Sequence, residues 1–417
     1  MFLKVDNCAR RYRVRAPRLV TRTLASRGAV VAACVLALAG ASAGCGSSSS
    51  DTSSSASTST SAKAGASSSG ADEAKALVDK NLAPVKFVPP GPAFSVPASV
   101  KGKTIWFVSS GLQFPFSQNL LRGVRDGAAV AGAKVVPTDS NGNLAKAGSQ
   151  IRQAISQKAD AIILQGVPTE TVTSPLKAAQ AAKIPVVQFV DDDPGLPSET
   201  QKAAGVDAQA NSCYECGGRL IADLAISASD AKVNAVFIDV PELKNTSHER
   251  DGFVSELKRL CPDTCKASVK SSPIATWGQL GNLAASQLRT QPDLNYLVPA
   301  VNAMIAPMKP GLAAANAAKR VKLVSYNADL PVLQDIQKGS DLILGTVGNP
   351  EEWMGWALTD QVLRLWSDQP PLADEKIPNR VFTAQNVKDI DLTKPSSTWY
   401  GDADFRAGYK ALWKLAG

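Results

Sequence analysis

From residue 103 onward, short uninterrupted apolar runs alternate with longer segments in which apolar positions recur every three or four residues. The short runs read as strands: TIWFVS (Thr104 to Ser109), AKVVPT (Ala133 to Thr138), AIIL (Ala161 to Leu164) and PVVQFV (Pro185 to Val190). Between them the helical period predicts helices over Ser117 to Ala131, Leu144 to Gln157 and Thr171 to Ala182. Strands rich in β-branched residues and lacking polar alternation are buried on both faces, so this is βαβ patterning around a parallel sheet. The pattern then repeats through NAVFID (Asn234 to Asp239), a helix near Ser247 to Leu260, KASVKS, a helix from Gln279 to Arg289 and YLVPA. A helix through Ala303 to Ala318, KLVSYN (Lys322 to Asn327), LILGTV (Leu342 to Val347) and a helix from Glu351 to Trp366 complete it. Two doubly wound α/β halves fit this order. In such sheets ligands bind beyond the carboxyl ends of the strands, which makes the loops after each strand the place to look for chemistry.

The first hundred residues follow other rules. Ala29 to Gly40 reads AVVAACVLALAG, shorter than the ~20 residues a helix needs to span a bilayer but the size of the apolar stretch of a signal peptide. Ala41-Ser42-Ala43-Gly44-Cys45 follows and resembles a bacterial lipobox, with Ser42 where Leu is usual. The resemblance implies cleavage before Cys45 and acylation of its thiol; an ordinary signal peptide cut after Ala43 or Gly44 gives export without the lipid. Residues 46–72 contain thirteen Ser and no aromatic or large aliphatic side chain, which predicts a flexible tether over 45–72. A short helix fits Ala71 to Lys80, and Pro84, Pro89, Pro90, Pro92 and Pro97 then favour extended chain, so that 73–100 reads mainly as an extended segment.

Composition changes the picture in one respect. The 417 residues carry a net charge of +8, yet eight basic side chains and one acid lie before residue 45. The remainder holds 37 Lys and Arg against 36 Asp and Glu, so the basicity belongs to the leader and nucleic-acid binding loses its electrostatic basis.

Catalytic signatures are missing from the sequence. Gly102-Lys103-Thr104 has the end of a phosphate loop, but Pro97 holds the first glycine position and a strand follows in place of a helix. Neither G-x-G-x-x-G after the first strand nor G-x-S-x-G occurs. His248 is the only histidine, and its neighbours HERDG lack the second His of a zincin motif, so it reads as a rim histidine at a helix start. Of seven cysteines, Cys8 and Cys34 belong to the leader and Cys45 to the lipobox. Cys213, Cys216, Cys261 and Cys265 remain, and in an exported chain they most simply form two disulfides, three connectivities being possible and local pairs favoured. A zinc site or a redox pair is the competing reading of the same four thiols.

The stretch Lys103 to Asp193, with TIWFVSSGLQFPFSQNLLRGVRDGA, AGAKVVPTDSNGN and AAKIPVVQFVDDD, resembles the periplasmic ribose-binding protein and its relatives. These are the type I, sugar-class solute-binding proteins of bacterial ABC importers. The similarity continues through SHERDGF, SSPIATWGQ, VNAMIA, LVSYNAD and GTVGNPEEWMGWAL, covering about 101 to 390. It implies two α/β lobes joined by three strands of chain, with a ligand held in the cleft and closure read by permease subunits. The N-terminal lobe is then expected at 101–193 plus 350–380, and the C-terminal lobe at 205–349 plus 381–417. The aromatic tail from Trp399 to Trp413 reads as a helix packed on a lobe.

Carried over residue by residue, the resemblance puts Phe116 and Trp277 at two aromatic positions that sandwich the ligand, with Phe114 where ribose binders have Asn. Asp191 and Asp192 fall on the Asp-Arg pair that grips sugar hydroxyls, the Arg being replaced. Glu249 stands where an Arg is frequent and Arg250 one residue on. Asn327 replaces an Asp, Asn349 a Gln, and Asn302 sits beside the usual Asn position. Amides and carboxylates of this kind suit a sugar-like or cationic small molecule. The expectation is a monomeric, exported, lipid-anchored binding protein without cofactor or metal, serving an ABC permease. A sensor presenting its ligand to a membrane receptor or histidine kinase is the alternative. An enzyme lacks its motifs, and a Lac-type regulator would need a helix-turn-helix headpiece where the leader and Ser-rich stretch stand.

Overall fold

The computed structural model describes residues 59–401 and 403–415, with side chains from residue 69. The signal-peptide and lipobox readings, Cys45 included, lie outside the described residues. The chain opens with helix α1 (Ser59–Leu82), runs extended to residue 97 and enters the first sheet. That sheet is built by β1 (Thr104–Ser109), α2 (Pro115–Val130), β2 (Lys134–Asp139), α3 (Leu144–Ser156), β3 (Ala161–Gln165), α4 (Thr173–Ala181), β4 (Val186–Phe189), α5 (Glu199–Ala204) and β5 (Ala208–Gln209). The second lobe takes α6 (Tyr214–Ala228), β6 (Asn234–Asp239), α7 (Asn245–Leu260), β7 (Lys266–Ser271), α8 (Leu280–Thr290) and β8 (Tyr296–Pro299). It continues with α9 (Ile305–Ala314), β9 (Lys322–Asn327), α10 (Leu330–Gln337) and β10 (Ile343–Gly348). Helix α11 (Glu351–Trp366) returns to the first lobe, β11 (Arg380–Thr383) and α12 (Ala384–Val387) go back to the second, and α13 (Phe405–Leu412) ends on the first.

The two sheets are wound alike. The first runs β2-β1-β3-β4-β5, all parallel; the second runs β7-β6-β8-β9-β10, parallel, with β11 added antiparallel at its edge. In each, the chain reverses its direction of travel across the sheet beside the first strand, opening a crevice at the carboxyl ends. Strands β3 and β4 are buried throughout, as their apolar runs predict for a sheet covered on both faces.

In both lobes one helix pair meets backbone to backbone. A Cβ on Gly218 of α6 would lie 1.9 Å from the Glu249 carbonyl oxygen of α7, and one on Gly123 of α2 would lie 2.1 Å from that of Glu352 on α11. Cys213 is bonded to Cys216 at the start of α6 and Cys261 to Cys265 after α7, the local pairing favoured from spacing.

Three connections join the lobes in the body of the fold: residues 210–213, 349–350 and 367–379. They are tied to one another. The Tyr326 hydroxyl of β9 donates to Asn379 Oδ1 (2.6 Å) and accepts from Asn349 Nδ2 (3.0 Å), while Asn379 Nδ2 donates to the Cys213 carbonyl (3.0 Å). Two further passages flank them. Residues 83–93 run from α1, which sits on α6 and β11, to Phe94 in the first lobe's core. The tail leaves the second lobe's core at Tyr400 and joins the first lobe's at Phe405, placing α13 on α11.

These flanks differ from the sequence reading. Helix α1 contains the short helix expected over Ala71 to Lys80 but begins at Ser59, inside the stretch expected to be tether; Ala74 and Val78 are buried against the second lobe and Glu73 pairs with Arg259 (2.6 Å). The tail was expected with the second lobe, but Phe405, Tyr409 and Trp413 stack on Trp353 and Trp356 of α11 in the first. A buried polar group fixes that dock: Asp360 accepts from Arg364 Nε and from Trp413 Nε1, both at 2.6 Å, and Arg364 also reaches the Pro92 carbonyl. Helix α6, which no periodicity argument identified, packs on α7, β9 and β10 of the second lobe; only its cysteines were read, as a staple.

Replacing Gly218 by Ala separates two effects. Helix propensity alone favours Ala by about 1 kcal/mol, whereas overpacking against a backbone carbonyl costs about 1–3 kcal/mol or more. The contact should win, so Gly218→Ala should lower the urea midpoint, and a midpoint at or above wild type would show that α6 and α7 can part without penalty.

Candidate functional site

Between the lobes lies a cleft enclosing about 800 Å³, solvent at its mouth included. Its first-lobe wall comes from Ser110, Gln113, Phe114 and Phe116 after β1, Asn141 after β2, Gln165 at the end of β3 and Val190 after β4. The second-lobe wall comes from Tyr214 at the start of α6, Leu243 and Asn245 after β6, Ile274 and Trp277 after β7, Ala303 after β8, and Asn327 and Asp329 after β9. Nearly all of the lining follows a strand's carboxyl end, as the topology requires.

Of the ten expected binding residues, Phe114, Phe116, Trp277 and Asn327 line this cleft. The aromatic pairing differs from expectation. Phe114 of the first lobe meets Trp277 of the second, ring centroids 5.8 Å apart and tilted by 53°, whereas Phe116 stacks on Phe189 at 6.2 Å. Pro115 explains the choice: it starts α2 and turns the Phe116 ring inward against β4 while Phe114, just outside the helix, faces the other lobe.

The other six are held elsewhere. Asp192 accepts from Lys244 Nζ and pairs with His248 Nε2, both at 3.0 Å. Asp191 is buried, accepts from Gln201 Nε2 (3.2 Å) and lies 3.9 Å from Lys244. Asp193 accepts from the Tyr214 and Glu215 amides, capping α6, and approaches His248 Nδ1 at 3.4 Å. The acidic trio of the first lobe is thus spent on the second lobe's Lys244 and His248 and on a helix end. Arg250 binds Asp239 and Asp251. Glu249 is wholly buried and accepts from Asn245 Nδ2 (2.8 Å). Asn349 belongs to the knot around Tyr326. Asn302 donates to Thr346 Oγ1 (3.0 Å) and its Oδ1 accepts from the Asp329 amide (2.8 Å), which fixes the loop after β9.

Electrostatics follow burial. Desolvation raises the Asp191 carboxyl to about 6 and pushes Glu249 well above the usual carboxylate range. The His248 hydrogen bond is the largest influence holding Asp192 down at about 2, and the same bond raises His248. Asp329, which sequence reading passed over, is raised to about 6 by burial. Tyr214, Asn245 and Gln165 were passed over as well; each sits within a few residues of a strand or crossing end, the one signal that could have singled them out. Several polar atoms of the second-lobe wall have no protein partner, Asn245 Oδ1 and the Tyr214 hydroxyl among them. Among the described residues no three His, Cys, Asp or Glu side chains are placed to hold a metal ion, and no helix is long and apolar enough to cross a membrane.

This geometry agrees with what the chain is similar to. The family described as periplasmic binding protein domain matches residues 105–370. The chain belongs to that family. Solved structures share its fold, the two α/β lobes of the type I periplasmic binding protein. A solute-binding protein of an ABC transporter from Agrobacterium vitis with bound α-D-tagatopyranose is 19% identical with a TM-score of 0.62, covering 70% of this chain and 98% of its own. One from Actinobacillus succinogenes with bound D-allose is 17% identical with a TM-score of 0.60 over 69% of this chain and all of its own. One from Bacillus halodurans with bound myo-inositol is 16% identical with a TM-score of 0.60 over 70% and 98%. No curated protein matches the chain. As a periplasmic binding protein the chain works outside the cytoplasm, and the family is one of binders, not catalysts.

The contact of Asp192 with His248 gives the lobe interface a pH dependence. His248 is raised above 6.5, so its contribution is fully present below that value and is lost as pH climbs through the folded value. Asp192 is lowered from 3.8, so its contribution holds above 3.8 and fails as pH falls toward about 2. His248→Gln should therefore lower the melting temperature most near pH 5 and progressively less toward pH 9. A pH-independent difference would mean that the histidine acts by packing alone.

Proposed function

We propose that this periplasmic binding protein captures a sugar or a similar small polyhydroxylated molecule in the interlobe cleft and delivers it to the permease of an ABC importer. The observation that carries the reading is the cleft itself. Aromatic rings from both lobes, Phe114 and Phe116 on one side and Trp277 on the other, share it with neutral amides and hydroxyls. Such rings suit the apolar face of a sugar, and the amides and hydroxyls can both donate and accept toward its hydroxyls. Structural relatives that hold D-allose, tagatopyranose and myo-inositol support the ligand class. Delivery follows from the family's association with ABC transporters. The leader through Gly44 and the lipobox Cys45 after it support an exported, lipid-anchored protein. Closure of the lobes is stabilised only as far as the ligand binds the closed arrangement better than the open one.

A thermal-shift screen of pentoses, hexoses and polyols on the unreduced protein tests this. A ligand at 100 times its Kd should add about 2.7 kcal/mol of stability. Trp277→Ala should abolish that gain and leave the ligand-free melting curve in place, because Trp277 sits at the cleft mouth, only partly buried. An unchanged gain would move Trp277 out of the binding face.

A further inference from the structure

The loop after β9 is built against local preference, and what it delivers to the cleft is a carboxylate. Asn327 and Ala328 both have positive φ, 110° and 70°, a region costly for residues with a side chain. Asn302, itself held by Thr346, then fixes the next amide, that of Asp329. Asp329 occupies the N-cap position of α10, where an Asp side chain ordinarily accepts from the helix's first amides, yet its side chain makes no capping bond. It lines the cleft instead.

No other charged side chain does so. Among the described residues the lining includes no lysine, arginine or second carboxylate. Lys244 and Arg250, the cations nearest in sequence to the second-lobe wall, are committed to Asp192 and to Asp239 and Asp251. The acidic groups that feel Asp329, Glu351 of α11 and the phenol of Tyr400, are both pushed up by burial, toward their uncharged forms. The second-lobe wall of the same cleft also presents an acceptor of fixed orientation: Asn245 spends its amide nitrogen on Glu249, leaving Oδ1 without a protein partner. The cleft thus carries one uncompensated negative charge and an oriented acceptor among aromatic rings. A carboxylate partly withdrawn from water gains from a cationic partner, and aromatic faces favour a cation.

We propose that Asp329 is the ligand-selecting residue of the cleft, taking the ammonium group of an amine-bearing sugar or polyol whose apolar face lies on the aromatic rings. This rests on the carbohydrate reading above and narrows it. Asp329 must be ionised to act, so binding of such a ligand should weaken as pH falls below about 6, where its carboxyl takes up a proton.

Matched probes decide it: D-glucosamine, D-galactosamine and 1-amino-1-deoxy-D-glucitol, each beside its neutral parent D-glucose, D-galactose and D-glucitol. Titration calorimetry near neutral pH should show at least one amine binding roughly tenfold or more tighter than its parent in the wild type. Asp329→Asn should erase that preference and the pH dependence with it, while its ligand-free melting temperature stays level or rises, since a partly buried carboxylate that makes no capping bond has gone. A neutral parent binding as well as its amine, or a preference that survives in Asp329→Asn, overturns the assignment and leaves the carbohydrate reading standing. Failure of all six probes to bind the wild type overturns the carbohydrate reading and this inference together.

Discussion

The hydroxyl of Tyr326 is the point through which the two lobes are held as one body. It lies wholly buried at the end of β9, gives its proton to Asn379 and accepts from Asn349, and Asn379 passes the chain of bonds on to Cys213. One group from each body connection is therefore in a single network, in surroundings where an unmade bond costs about 1–3 kcal/mol. The connections cannot slide independently without breaking it. What can change is the angle at which the lobes stand, and the contacts that respond lie farther out, at Phe114 with Trp277 and at Asp192 with Lys244 and His248.

That arrangement separates two jobs that the sequence alone makes look like one. Charged residues near the cleft divide into a set that joins the lobes and a set that faces the ligand space. Asp191, Asp192 and Asp193 belong to the first, because the second lobe supplies Lys244, His248 and the free amides of α6 directly opposite. Asp329 belongs to the second, because nothing in the protein balances it.

Much of the fold was legible because buried parallel strands leave uninterrupted apolar runs, and all four first-lobe runs sit within two residues of the strands observed. The helix from Tyr214 was missed because its two adjacent glycines serve close contacts, Gly217 with the Tyr326 ring and Gly218 with α7, and erase the usual helical signal. The tail went to the wrong lobe because an amphipathic helix shows that it packs, not on what. The three aromatic residues expected at the cleft do line it, and of the polar ones only Asn327 does. A strand end indicates that a loop faces the cleft, but which of two or three neighbouring polar side chains turns inward depends on partners far away in sequence, as Asn302 and Asp329 illustrate.

Helix α1 also settles how the molecule bears mechanical load. Its backbone starts at Ser59, and from Glu73 onward it is fastened to the second lobe through Arg259 and through buried Ala74 and Val78. Tension applied at the amino-terminal end of this helix is taken up as shear along its face on α6 and α7, before it reaches residues 83–93 and the first lobe. The load path from this helix therefore enters the fold through the second lobe.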